Sequence, residues 1–144
     1  MFDIKFISGP EVDSERSFMW GRIVLGTFED EFQAPLLTWT AADYERSWRR
    51  AAELLANDAP CAAFLTHMVD PAASYHIGWP VWRENHQLYV QERLFLVEQL
   101  PGPFDPEQPE KYVGAREEIS VEGHPISQWG VRLADITDYL GRQQ

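Results

Sequence analysis

One segment, residues 40–60, carries the full pattern of an amphipathic α-helix. Thr40 is followed three residues later by Asp43, the spacing of a capping box that satisfies the first free N–H groups of a helix. Apolar side chains then recur every three or four residues, which places them on one helix face. They are Tyr44, Trp48, Ala51, Ala52 and Leu55. The run Asn57-Asp58-Ala59-Pro60 predicts the end of this helix.

The segments around this helix have the composition and alternation of β-strands. They are residues 2–7, 18–28, 61–70, 75–83 and 87–100, followed by a closing hairpin of 116–121 and 126–133. Short connections between successive strands favour antiparallel pairing. We therefore predict one domain spanning residues 1–144, of the α+β class. Its antiparallel β-sheet has about five to seven strands in a meander-like order. One main α-helix and a short C-terminal helix, residues 133–142, pack on the sheet.

Proline and glycine indicate where this pairing is irregular. Pro80 cannot donate to a strand ladder, so it predicts a bulge or an edge within its strand. Gly21 and Gly26 indicate a bulge or the close approach of a neighbouring element. Residues 101–115 contain four prolines and two glycines, which predicts a long ordered loop or an excursion over a sheet face.

The balance of charge narrows the class of partner. The chain has 23 acidic and 12 basic residues, for a formal net charge of −11. Such a surface repels a nucleic acid backbone and attracts cationic partners. A requirement for solubility alone explains the same charge. We expect no nucleic-acid partner, and we leave the oligomeric state open.

Targeting and redox signals are few. The N-terminal residues lack the basic start and the apolar run of a signal peptide. No apolar window reaches the ~18 residues that a membrane helix needs. Cys61 stands alone, which excludes a disulfide within the chain. We expect a cytoplasmic protein with no membrane partner.

Catalytic and metal chemistry find little support in the sequence. His67 and His76 lie on consecutive predicted strands with Asp70 nearby, so one pairing register would bring them together as metal ligands. Histidines with ordinary hydrogen bonds are the alternative. Glu92 lies in an apolar run, and if it faces inward it needs a partner such as Arg22. Nucleophile elbows, P-loops and dinucleotide fingerprints are absent from the sequence. We predict no enzyme, no catalytic residue, no bound metal and no cofactor.

The stretch "GTFEDEF", residues 26–32, is the strongest candidate for a site that binds a partner. Glu29, Asp30 and Glu31 follow a predicted strand, and Phe28 and Phe32 flank them. We expect both phenylalanines to turn inward while the three carboxylates stay in water. A solvated strand end is one interpretation of this stretch, and a contact for a cationic partner is the other.

Trp82 is the fourth candidate contact residue. In "GWPVWRE", Trp79 and Trp82 point to opposite faces of a regular strand. One of them can lie in the core while the other is exposed, and an exposed tryptophan is a common interface anchor. The alternative is that both pack under residues 101–115.

Several segments together, in order, resemble a known family. They are "MWGRIVLGTFEDEF", "W-x-x-x-DYERSWRRAAELL" from Trp39, "GWPVWRE", "LYVQERLFL", "GPFDPEQPEKYVGAREEIS" and "ISQWGV". Their order and spacing resemble bacterial immunity proteins of contact-dependent growth inhibition (CDI) systems, the CdiI-like family, over about residues 18–140.

The resemblance implies a function and a partner. Proteins of this family bind and neutralise a cognate toxin C-terminal domain, often a nuclease, in the cytoplasm. A nuclease groove that holds phosphates is basic, so an acidic inhibitor suits it. The alternatives are a regulatory or interaction module that forms a homodimer, and a small metal-dependent hydrolase.

Overall fold

The computed structural model describes residues 1–13, 16–70, 73–100 and 102–143. Its first sheet contains β1 (Phe2–Phe6), β2 (Glu11–Asp13), β3 (Arg16–Leu25) and β4 (Phe28–Pro35). All pairings are antiparallel to β3. Because β4 pairs along nearly the whole of β3, β1 and β2 share the other side of that strand. Among the described strands β4 pairs with β3 alone, so it lies at an edge of this sheet.

The second sheet is built around one long strand. It contains β5 (Cys61–His67), β6 (Tyr75–Glu84), β7 (Gln87–Val90), β8 (Arg93–Leu96) and β9 (Trp129–Arg132). On one side of β6 lies β5, while β7 and β8 follow each other along its other side. The next strand beyond β7 is β9. The described residues therefore form two antiparallel sheets, whereas the sequence predicted one.

Pro80 explains why the predicted strand 87–100 is interrupted. The segment divides into β7 and β8 at Gln91 and Glu92. The N–H of Gln91 donates to the carbonyl of Pro80 at 3.2 Å. Pro80 has no N–H to return to this partner, so the ladder cannot continue there. The predicted irregularity at Pro80 is confirmed.

Both predicted helices form. The first, α1 (Ala41–Ala56), begins with the reciprocal capping box of Thr40 and Asp43, and its buried side chains are the five that the periodicity indicated. The second, α2 (Leu133–Arg142), buries Ile136 and Tyr139. No helix of the described residues is long and apolar enough to span a bilayer.

One hydrophobic core joins both sheets and both helices. The Phe2 ring of β1 lies 5.0 Å from Phe64 of β5 and 5.2 Å from Tyr139 of α2. On α1, the Trp48 indole N–H donates to the carbonyl of Leu65 at 2.7 Å. The α+β class, the antiparallel pairing and the two helices are thus as predicted.

Residues 102–115 cover the other face of the second sheet. Phe104 is buried and stacks on His76 with ring centroids 4.2 Å apart. A 3-10 helix, Pro109–Tyr112, is tied to α1 because Arg50 makes two hydrogen bonds of 2.8 Å to the Glu110 carboxylate. The predicted excursion over a sheet face is confirmed.

The predicted closing hairpin forms only next to its turn, and its second strand pairs elsewhere. An isolated bridge joins Ile119 to Pro125, and beside it the Ser120 N–H donates to the His124 carbonyl and the Ile126 N–H to the Glu118 carbonyl. Trp129 and Val131 instead pair with Val90 and Leu88 on β7. That partner strand lets Val131 reach the core, which the polar segment 116–121 cannot offer.

Candidate functional site

The carboxylates of Glu29, Asp30 and Glu31 lie inside β4, not beyond a strand end. The chain reverses at Gly26 and Thr27, where Gly26 has a φ of 70°. Glycine with positive φ at the first position suits a two-residue hairpin turn. The prediction of one strand over residues 18–28, with the acids in a turn after it, is therefore wrong at its C-terminal end.

The pleat of β4 distributes its side chains over two faces. Phe28, Asp30 and Phe32 share one face, and Glu29 and Glu31 share the other. All three acidic residues are exposed, while both phenylalanines are partly buried against the core. The inward position predicted for the phenylalanines is confirmed.

Two aromatic contacts fix the position of β4. Phe28 stacks on Trp129 of the second sheet with ring centroids 4.3 Å apart. Phe32 lies edge-on to Trp48 of α1 at 5.9 Å and covers Gly21 on β3. A Cβ atom at Gly21 would lie 2.4 Å from the Phe32 ring, so the close approach predicted at this glycine is confirmed.

Glu31 has a cross-strand ion pair. Its carboxylate lies 3.3 Å from the Arg22 guanidinium, directly opposite on β3. Both side chains are substantially exposed, so the pair adds little to stability. Arg22 therefore pairs with Glu31, and the predicted pairing of Arg22 with an inward Glu92 does not form.

Glu92 lies at the break between β7 and β8, and it is exposed. Its carboxyl is still partly desolvated, which raises its pKa, and the negative charge of Asp30 raises this pKa further. The negative charges of Asp30, on β4, and Glu92, beside the second sheet, therefore oppose each other. This edge of the molecule concentrates negative charge across the gap between the sheets.

Gln91 holds the strand break in place. Its fully buried amide donates to the Glu117 carbonyl at 2.9 Å and to Gln128 Oε1 at 3.0 Å. Its side-chain oxygen Oε1 accepts from the Arg93 guanidinium at 2.6 and 3.0 Å. Because Arg93 binds Gln91 and lies 5.8 Å over the Trp82 ring, it is oriented by neutral partners. No local sequence pattern predicted this network.

Trp82 is not brought together with the acids of β4. It lies on the face of β6 that residues 102–115 cover, and its indole N–H donates to the Gly114 carbonyl at 2.8 Å. Trp79, on the opposite face of β6, is 1% exposed. The predicted division of the two tryptophans between opposite faces is confirmed, and Trp82 is half-buried.

The histidines do not assemble as the metal hypothesis requires. His67 pairs with Ile77 on β6, whereas His76 points to the opposite face and stacks on Phe104. Burial lowers the pKa of His67, although the Gln33 backbone partly opposes this. In the described part of the chain, no group of three or more histidine, cysteine or acidic residues is arranged to hold a metal ion.

The structure shows an apolar strip on β6 and β8 that the sequence patterns did not predict. Ile77 is paired with Leu94, and Tyr75 with Leu96, so the four side chains share one sheet face. We call them the β6–β8 strip. Leu94 is 56% exposed and Tyr75 43% exposed, which is unusual for large apolar side chains on neighbouring strands. The alternation of side chains along both strands could have indicated that these four residues share a face. Their exposure could not be predicted in this way, because it depends on which face of the sheet stays uncovered.

The fold and surface together define a small α+β protein with three exposed acidic residues on an edge strand and an exposed apolar strip on its second sheet. The family model described as CdiI N-terminal domain matches residues 34–139. This match covers well over half of the chain, which therefore belongs to the CdiI N-terminal domain family. The family resemblance read from the sequence is confirmed.

Two known proteins are similar over nearly the full length. The immunity protein CdiI of Enterobacter cloacae subsp. cloacae is 28% identical over 141 residues, covering 96% of each chain. A solved structure described as a CdiA-CT/CdiI toxin and immunity complex from Enterobacter cloacae contains a chain that superposes with a TM-score of 0.88 at 27% identity. That superposition covers 99% of this chain and 97% of the other.

The family match also divides the candidate residues. It begins at Ala34, so Glu29, Asp30 and Glu31 lie before the matched region. The β6–β8 strip, Trp82 and Glu92 lie inside it.

Proposed function

We propose that this chain is an immunity protein that binds the toxin C-terminal domain of a contact-dependent growth inhibition system and neutralises it in the cytoplasm. The observation that carries the proposal is the full-length similarity to a CdiI immunity protein, in fold as well as sequence. The chain acts in this proposal as a stoichiometric binder and not as a catalyst.

The electrostatics support a basic toxin. The chain has a formal net charge of −11, and three exposed carboxylates follow one another on the edge strand β4. A nuclease needs a positively charged groove to hold phosphates, and an acidic inhibitor is drawn to such a groove over long range. We therefore propose a nuclease as the toxin class.

Growth rescue tests the function itself. The toxin C-terminal domain encoded at the same locus is expressed from an inducible promoter, with this chain or with a non-cognate immunity protein of similar charge. We expect growth to be restored by this chain only, with the toxin and the chain purifying together. Continued growth arrest and no complex would reject the proposal.

The acids of β4 are the proposed rim of the interface. We expect the triple variant Glu29→Lys, Asp30→Lys and Glu31→Lys to slow association several-fold while changing dissociation less, because exposed rim charges act mainly on the encounter rate. Stopped-flow or surface-based kinetics at two salt concentrations measures both rates. Association that does not depend on salt would contradict this assignment.

A second triple variant separates position from net charge. Glu107, Glu122 and Asp138 are exposed and lie on other elements, so changing all three to Lys alters the net charge by the same amount. We expect the control to slow association clearly less than the β4 variant. If both variants slowed association equally, the β4 acids would act only through the net charge of the protein and not through their position.

Trp82 is the fourth proposed contact residue. Its indole N–H is used by Gly114, so only the uncovered part of its ring is free to meet a partner. The variant Trp82→Phe keeps a ring beside Arg93 and loses this hydrogen bond. We expect weaker toxin binding with a Tm change of a few degrees at most, and unchanged affinity would remove Trp82 from the interface.

A further inference from the structure

The β6–β8 strip continues a sheet face that is buried elsewhere. Along β6, Trp79 and Val81 lie on the same face as Tyr75 and Ile77, because side chains alternate along a strand. Trp79 and Val81 are at most 1% exposed and belong to the hydrophobic core that residues of both sheets and both helices form. Toward Tyr75 this cover ends, and the apolar face continues into solvent.

Negative charge borders the exposed end of this face. Ile77, Glu92, Arg93 and Leu94 line one surface hollow. Across the gap, Asp30 of β4 interacts with Glu92. Arg93 also lines the hollow, but its guanidinium donates two hydrogen bonds to the side-chain Oε1 of Gln91. The hollow therefore offers an apolar floor with a carboxylate border.

We propose that the β6–β8 strip and its border of Asp30 and Glu92 form the surface on which the toxin domain docks. The toxin segment that fits is an apolar side chain seated on Ile77 and Leu94, flanked by lysine or arginine. Buried apolar anchors supply most of the affinity of such interfaces, and the flanking charges supply specificity. This inference rests on the proposed function and names its principal contact face. Trp82 lies on the opposite face of β6, so its proposed contact is a separate one.

A second copy of this chain is a poorer occupant. Two copies joined through the strip would bring the Asp30 and Glu92 carboxylates of both molecules together. Like charges placed opposite each other at an interface oppose association. A basic toxin surface meets the same carboxylates with the opposite sign.

The test compares one charge placed at two positions. Leu94→Arg removes an apolar anchor and adds a positive charge on the strip. Val121→Arg adds the same charge at a fully exposed apolar residue in the turn near Ile119. Both residues are exposed, so both variants should fold, and thermal melting checks this. Leu94→Ala is the milder second variant. Each is titrated with the toxin domain encoded at the same locus.

We expect Leu94→Arg to weaken toxin binding about tenfold or more, since loss of one hot-spot contact is of that order. Val121→Arg should stay within about threefold of the wild type. Equal effects of both variants, or wild-type binding by Leu94→Arg, would overturn the inference. Failure of the wild type to bind would instead reject the proposed function, and the inference with it. Light scattering that shows a wild-type dimer dissociated by Leu94→Arg would assign the strip to a second copy.

Discussion

The Tyr44 hydroxyl joins the two sheets at one point, and its removal should be costly. It donates to the Pro35 carbonyl at the end of β4 at 2.8 Å, and it accepts from the Met68 N–H just after β5 at 3.0 Å. The Tyr44 side chain is fully buried, so water cannot replace these partners. The variant Tyr44→Phe keeps the ring and deletes the oxygen alone.

The cost follows from the two groups that lose their partner. A buried N–H or carbonyl left unsatisfied costs about 1–3 kcal/mol. Met68 is fully buried and Pro35 partly so, which suggests a combined loss of about 2–4 kcal/mol in the free energy of unfolding. For a chain of this size, 1 kcal/mol corresponds to about 3 °C in Tm, so we expect a drop of about 6–12 °C.

Chemical and thermal unfolding followed by circular dichroism measure this change. Tyr75→Phe is the matched control, because Tyr75 is 43% exposed and its variant should lie within about 0.5 kcal/mol of the wild type. If Tyr44→Phe were no less stable than Tyr75→Phe, the hydroxyl would not join β4 to β5 as described. Since Pro35 is the last residue of β4, which carries the three acidic residues, Tyr44→Phe should also weaken toxin binding.

Two further predictions concern Gly21, which lies against Phe32 of β4, and Glu92, which borders the β6–β8 strip. Gly21→Ala should destabilise the protein by about 1–3 kcal/mol, because its methyl group would overlap the Phe32 ring. In the control variant Gly114→Ala, the added methyl group meets no atom within 4 Å, so its stability should be nearly that of the wild type. Comparable urea midpoints for the two variants would contradict this prediction. Glu92→Gln should raise Tm at neutral pH by removing a charge that is disfavoured beside Asp30. Because the folded state raises the pKa of Glu92, the gain should be complete above that raised pKa and vanish below the ordinary glutamate value of ~4.3, where the wild-type side chain is protonated in both states. Melting curves across pH 3–8 with an unchanged difference between the two proteins would refute the effect of Glu92.

The helix α1 could be predicted from the sequence because every signal for it is local. The capping box of Thr40 and Asp43 and the buried side of the helix depend on spacings of three and four residues. The aromatic positions Tyr44 and Trp48 then also determined which side faces the sheets. The C-terminal helix followed from the same periodicity.

The division into two sheets depends on contacts between distant residues, which spacing does not encode. Trp129 follows a polar segment that looked like its hairpin partner, but it pairs with Val90, some 40 residues earlier in the chain. Strand partners are chosen by which pairs can bury apolar area, and that requires knowledge of the whole core.

The sequence predicted the individual residues of the candidate site but not how the fold arranges them. The exposure of Glu29, Asp30 and Glu31 follows from their chemistry. Their location within a strand depends instead on the reversal at Gly26 and on the burial of Phe28 and Phe32. The approach of Asp30 to Glu92 depends on how the two sheets pack, and no local pattern reports it.

Binding to the toxin tests the central claim most directly. Wild-type chain is titrated calorimetrically with the purified toxin C-terminal domain encoded at the same locus, and toxin activity is followed in the same samples. The account predicts a 1:1 complex with nanomolar or tighter affinity, about −12 kcal/mol, and toxin activity that falls to zero at equivalence. No heat of binding at micromolar concentration, or a complex in which the toxin stays active, would contradict it.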